Sequence, residues 1–311
     1  MTESNENYGY KGAHKMKNIN KELRLTLCSF LVVVILSYLL HSQSYIKAIN
    51  STTIAFSYEY GFISRGFIGT IYQLIDKVIS INMMTSHMLF IFVHIVTLIF
   101  IVGLLMFNIY VLHKCDYDTK ETARYLVTGY TIWVVPTFIS IDGFGRLDIY
   151  CLSLSLIMAA MIVSQRYEWM IPILSAISIL IHHGNVFMFM NIPLVLLLYR
   201  AGNEKKKFKQ NYYLILFTIT FVVVSILFLY FEFFSHTTGQ EAYAEIIEKA
   251  KLLNHHNEYH EGLFKKEILG INVANTETTF KLINLVQLPF FVLIMLPQIL
   301  VTCGIYKNAI K

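Results

Sequence analysis

The chain has 311 residues, of which 56% are hydrophobic, 14% aromatic and 14% charged, with a formal net charge of +5 and a mean hydropathy of +0.56. This composition excludes an ordinary soluble domain and fits a polytopic helical membrane protein. The basic residues lie beside apolar runs rather than in one stripe, so no nucleic acid is expected, and the scattered Cys28, Cys115, Cys151 and Cys303 give neither a disulfide framework nor metal spacing.

Residues 1–24 are polar and contain Lys11, Lys15, Lys17, Lys21 and Arg24, which reads as a basic cytoplasmic arm. Everything from 25 to 311 reads as a single transmembrane domain. The uncharged run Leu25 to Leu40 is its first span, entered from inside, which places residues 41–85 in a first external loop. That loop holds Tyr58-Glu59-Tyr60-Gly61-Phe62-Ile63-Ser64-Arg65-Gly66-Phe67-Ile68-Gly69, a carboxylate and an arginine set among aromatic and aliphatic residues. The apolar stripe Phe62, Phe67, Ile68, Ile71, Leu74 and Ile75, ending at Asp76 and Lys77, predicts an interfacial helix. Glu59 and Arg65 are then held where lipid meets water.

A second span is predicted over 86–112, with His94 inside it, and a third over 125–141 with a kink at Pro136. Asp142-Gly143-Phe144-Gly145-Arg146-Leu147-Asp148 follows as a tight external turn, and a short fourth span covers 149–165. Two aspartates flanking an arginine at a membrane edge are costly unless paired, which marks them as candidates for function. The run 169–199 is too long for one upright span and is interrupted by His182-His183-Gly184-Asn185. Basic residues at both of its ends, Arg166 on one side and Arg200 and Lys205 on the other, predict two half-spans whose turn points outward. A further span covers 211–231, and an external loop at 233–281 contains an amphipathic helix from Glu241. In that loop His256 and His260 have the i, i+4 spacing that suits a divalent cation, with no third ligand at a diagnostic position. The last span is 282–305. The predicted fold is therefore all-α: a polytopic transmembrane bundle of about eight crossings, two of them half-spans, with both termini cytoplasmic.

On this topology the outer face gathers Glu59, Arg65, Asp142, Arg146, Asp148, His182 and His183. Arginine forks bind phosphate oxygens, and a carboxylate or histidine can deprotonate a hydroxyl. That set fits an enzyme acting on a lipid-borne anionic substrate whose tail stays in the bilayer.

One span starting in the cytoplasm, a large external loop with a carboxylate and interfacial helices, and then a bundle resembles the C-type membrane glycosyltransferases. The resemblance covers roughly the first 150 residues. Polysaccharide polymerases that join lipid-linked repeat units are a close variant of the same idea. The resemblance implies transfer from a polyprenyl-phosphate-linked sugar at the external face of a bacterial plasma membrane, alongside partners in envelope polysaccharide assembly. Glu59 matches the acidic residue such enzymes carry in the first external loop. The loop has no Asp-x-Asp pair, so Asp142 and Asp148 stand beside Glu59 as candidate bases. Arg65 and Arg146 would hold the leaving phosphate, and His182 and His183 would position acceptor or pyrophosphate. No cofactor is implied, and a divalent metal is left open. Two other classes remain at this point: a membrane acyltransferase using His182 or His183 as base, and a lipid or small-molecule transporter with its site in the broken run 169–199.

Overall fold

The computed structural model describes residues 28, 31–32, 34–35, 45–79, 82–114, 138–139, 143–233 and 240–268. The basic arm, the final span, nearly all of the third span with Pro136, and Asp142 lie outside the described residues, and of the first span only five residues, all helical, are described. All regular structure among the described residues is helical. In chain order the helices are α1 (Ala48–Ala55), α2 (Gly66–Ile79), α3 (Ser86–Lys114), α4 (Asp148–Ser164), α5 (Ile171–Ile181), the single turn α6 (Asn185–Met188), α7 (Asn191–Asn203), α8 (Lys207–Phe233), α9 (Gln240–Leu252) and α10 (Glu261–Glu267).

Two of these are long and apolar enough to cross a membrane, Ser86–Phe107 within α3 and Lys207–Phe231 within α8. The helices α4, α5 and α7 are shorter and pack against α8 or one another. Side-chain bonds fix their directions. Cys151 Sγ on α4 donates to the Ser178 carbonyl on α5 at 3.5 Å, and Ser175 Oγ reaches Met158 Sδ at 3.2 Å. These pairs make α5 antiparallel to α4 and bring Ile181 back to the Asp148 end. At the opposite end, Arg200 on α7 donates to the Val163 carbonyl of α4 at 3.0 Å. Helices α5 and α7 therefore form a hairpin with its turn beside Asp148. The α5 arm has 11 residues, or about 17 Å at 1.5 Å per residue, against a hydrocarbon core of about 30 Å. So short an arm persists in an apolar setting only when flanked by longer helices, and α4 and α8 supply them.

The bundle is polarised as a result. Arg166, Arg200, Lys205, Lys206, Lys207 and Lys209 gather at the end where Tyr213 donates to Glu168 at 2.9 Å. The hairpin turn, the start of α4 and the end of α8 lie at the other, where the Phe231 ring meets the His183 ring.

A cap of α1, α2, α9 and α10 covers that second end. Helix α1 is its centre, and it buries Asn50, Ser51, Thr52 and Thr53 as well as Ile54 and Ala55. A polar helix can be buried only if its side chains find partners. Asn50 Nδ2 donates to the Phe144 carbonyl at 2.8 Å, Thr53 Oγ1 to the Asn50 carbonyl at 2.7 Å, and Thr52 Oγ1 accepts from the His260 amide at 2.9 Å. Asn254 braces the loop after α9, donating to the Ile46 carbonyl at 3.1 Å while its Oδ1 accepts from the amides of His256 and Glu258. Where α2 crosses the exit of α1, Gly69 is required. A Cβ there would stand 1.8 Å from the Phe56 carbonyl oxygen. The outward face of α2 carries exposed Ile71, Leu74, Val78 and Ile79, while Ile68 and Tyr72 are buried beneath it. This two-faced helix suits a position in the bilayer interface.

Candidate functional site

Two turns of similar construction bring arginines to the cap–bundle boundary. In the first, the Gly66 amide donates to the Ile63 carbonyl at 3.4 Å, with Ser64 and Arg65 at the two central positions. Arg65 has φ +64°, a value usually left to glycine at the second central position. In the second, the Arg146 amide donates to the Gly143 carbonyl at 3.1 Å, and Gly145 occupies the corresponding position with φ +87°. The second turn is anchored by the buried Phe144 ring, packed against Phe90 and His94 of α3 at centroid distances of 5.7 and 4.6 Å.

The two arginines open onto one cavity of about 350 Å³ with a mixed lining, in which Asn50, Thr53, Asp148, His182 and His260 stand beside Ile49, Leu147 and Leu263. Asp148, the first residue of α4, is in its lining beside Arg146 and His182. Its Oδ2 is 3.1 Å from Arg146 Nε and its Oδ1 is 3.8 Å from His182 Nε2, and its side chain is only 8% exposed. Burial ahead of the apolar part of α4 pushes the Asp148 carboxyl above its ordinary value, while the charges of Arg146 and Arg65 pull it down and do not fully offset the burial. The Gly184 amide donates to His182 Nδ1 at 3.3 Å. That bond leaves Nδ1 as an acceptor and puts the ring proton on Nε2, facing Asp148. His182 Nε2 is therefore turned toward the carboxylate, at 3.8 Å and beyond hydrogen-bond distance.

His183 points elsewhere. Its Nδ1 lies 2.5 Å from Ser64 Oγ in a buried contact, and its ring packs toward Phe228 and Phe231 of α8. Glu59 is also outside the cavity. It sits on a 3-10 turn, Tyr58–Tyr60, closed by Gly61 at φ +115°, with its side chain 49% exposed and 3.2 Å from Lys249 of α9. Lys249 also bonds Tyr60 Oη and pairs with Glu245 at 2.9 Å. Burial pushes Tyr60 up to about 12 although Lys249 draws it down. For Lys249, burial acts downward, but the hydrogen bonds to Tyr60 and Glu245 outweigh it and hold the ammonium charged. Glu59, six residues before Arg65 in the same motif, thus pairs with Lys249. The turn at Gly61 sends the side chains of Glu59 and Arg65 to different faces, and the helix predicted in the outer loop supplies the cation.

Of the residues singled out from sequence, the structure brings Arg65, Arg146, Asp148 and His182 together. It places His183 behind them and Glu59 at the rim of the cap, and Asp142 is not among the described residues. Sequence reasoning missed Asn50 and Thr53, and it set His260 only beside His256 as a candidate cation pair. Asn50 and Thr53 share a face of α1 by their i, i+3 spacing, but that short Ser/Thr/Asn-rich helix has no apolar period to announce it. His260 joins through its own fold role: its Nδ1 accepts from the Leu263 amide at 3.0 Å and caps α10. Among the described residues no group of three or more His, Cys, Asp or Glu side chains is close enough to hold a metal ion.

Compared with protein-family models, curated proteins and solved structures, the chain matches none of them.

Proposed function

We propose that this chain is an integral membrane glycosyltransferase, or a polymerase of lipid-linked saccharide units, acting on a polyprenyl-phosphate-linked sugar at the external face of a bacterial plasma membrane. The observation that carries the reading is the convergence of Arg65 and Arg146, from turns eighty residues apart, on the buried carboxylate of Asp148 in one cavity. The planar forks of Arg65 and Arg146 suit phosphate oxygens. An apolar groove of about 680 Å³ between α3, α4 and α5 includes Tyr150 and Ile181, neighbours of the cavity residues Asp148 and His182. A lipid chain lying in it would enter from the bilayer with its phosphate delivered to the arginines.

In the proposed step Asp148 accepts the proton of an acceptor hydroxyl as that oxygen bonds to the anomeric carbon. The bond from that carbon to the phosphate oxygen breaks with its electron pair, and the configuration inverts. The negative charge developing on the departing polyprenyl phosphate is met by Arg65 and Arg146, a form of stabilisation worth about 3 kcal/mol per well-placed donor. The raised carboxyl of Asp148 suits a base better than that of an exposed aspartate. Base catalysis by His182 in an acyl transfer is less well supported, because its Nδ1 is occupied by the Gly184 amide.

The test uses full-length protein in nanodiscs, with binding of polyprenyl phosphate measured against the matching polyprenol. Wild type should prefer the phosphate. Arg65→Lys and Arg146→Lys should each weaken that preference, because the charge stays while the fork is lost. Asp148→Asn should retain binding but lose release of polyprenyl phosphate from a polyprenyl-phosphate sugar by about a hundredfold or more. A wild-type protein that binds phosphate and alcohol equally well would remove the basis of the proposal.

A further inference from the structure

We infer that the buried Ser64–His183 pair is a strut that sets Arg65 and His182 in register with Asp148, making Ser64 and His183 positioning residues for the anion site. The pair joins segments 119 residues apart, Ser64 Oγ to His183 Nδ1 at 2.5 Å, with the two residues 3% and 7% exposed. Neither lines the cavity. The residue next to each of them does, Arg65 after Ser64 and His182 before His183. A bond between Ser64 and His183 therefore fixes the separation of the two cavity residues without touching a ligand.

Three further features favour this role over a catalytic one. Arg65 occupies a positive φ that opposes its Cβ, and such a conformation persists only where its surroundings over-determine it. The His183 ring is in turn held by Phe228 and Phe231, and Phe231 packs on Phe62 of the same loop at 5.1 Å. Tyr58 adds a second tie between the same segments, its hydroxyl reaching the Leu180 carbonyl at 3.4 Å. A serine–histidine pair in contact also suggests a nucleophile and its base. However, that chemistry needs Ser64 Oγ open to a substrate, and Ser64 is buried and does not line the cavity.

The inference rests on the proposed phosphate site for its binding readout, so it is tested with a second readout that does not. With polyprenyl phosphate as probe, Ser64→Ala should weaken binding about tenfold with little change in melting temperature, and Ser64→Thr should restore it. In an Arg65→Ala background, Ser64→Ala should cost clearly less than it does alone, because only His182 is left to position. Full additivity of the two changes, or failure of Ser64→Thr to rescue a folded protein, would overturn the strut. Independently of any ligand, nitrogen-15 spectra of arginine- and histidine-labelled protein should show the Arg65 Nε and His182 ring signals moving in Ser64→Ala, while Arg200 at the far end stays put. If wild type fails to bind polyprenyl phosphate, the phosphate reading falls and the strut is judged on the spectra alone. Unmoved Arg65 and His182 signals would then reject it.

Discussion

At the scale of single residues, the site is built from a conflict between local preference and placement. Arg65 stands where a turn calls for glycine, whereas the equivalent position of the second turn is glycine, Gly145, with the arginine one residue later. A side chain at positive φ costs about 1–2 kcal/mol, so the arginine is kept for its side chain and against its backbone. Arg65→Gly should therefore separate stability from binding. The relieved strain offsets the extra freedom of glycine in the unfolded chain, about 0.4–1 kcal/mol, and the weaker compensation of the buried Asp148 carboxylate, leaving stability within about 1 kcal/mol of wild type. Polyprenyl-phosphate binding should fall by tenfold or more, on the scale of about 1.5–3 kcal/mol for a hydrogen bond to a charged group. Thermal unfolding and binding measured on the same preparation check it. An arginine present only for the fold would give the opposite result, lost stability with binding retained.

At the scale of elements, the apolar periodicity and charge of the sequence forecast some parts well and others not at all. The spans predicted over 86–112 and 211–231 correspond to α3 and α8, which are long and apolar enough to cross a membrane. The break at His182–Asn185 was legible from the basic residues at both ends of its run, and the stripe from Phe67 to Lys77 from its period. Helix α1 was not legible. Its Ala-Ile-Asn-Ser-Thr-Thr-Ile-Ala sequence reads as loop, and it is helical because α2, α9 and α10 enclose it and give its polar side chains partners. The place of Glu59 was hidden for the same kind of reason, since its partner Lys249 is 190 residues away. Two glycines translate this packing into a prediction. Gly69→Ala forces a Cβ onto backbone atoms of Ile54 and Phe56 and should destabilise the cap by about 3 kcal/mol or more. A Cβ at Gly103 meets nothing within 4 Å, yet Gly103 lines the apolar groove. Gly103→Leu should thus fold normally but erase much of the affinity advantage of a long polyprenyl phosphate over farnesyl phosphate. If Gly103→Leu left that chain-length preference intact, the groove would not be the path of the lipid.

At the scale of the whole molecule, charge and site occupy opposite ends of the bundle. Arg166, Arg200 and Lys205 to Lys209 lie where α4 ends and α8 begins, and the cavity lies where α4 begins and α8 ends under the cap. Basic residues flanking apolar helices are retained on the cytoplasmic side, so this polarity predicts an outward-facing cavity. The α5–α7 hairpin makes the prediction sharp, since one half-span read as a full crossing would move α8 and the cap to the other side. Single-cysteine reporters in a background lacking the four native cysteines test it in intact cells with a membrane-impermeant maleimide. Glu258→Cys, on the exposed loop before α10, should be labelled from outside, whereas Lys206→Cys should react only after the membrane is permeabilised. Both positions are exposed, so a difference in labelling reports the side of the membrane rather than burial. The reverse pattern would invert the molecule, putting Arg65, Arg146 and Asp148 on the cytoplasmic face, where the proposed donor is not offered. Labelling of both from outside would mean that α8 does not cross, and the bundle would then need a different account of its two long apolar helices.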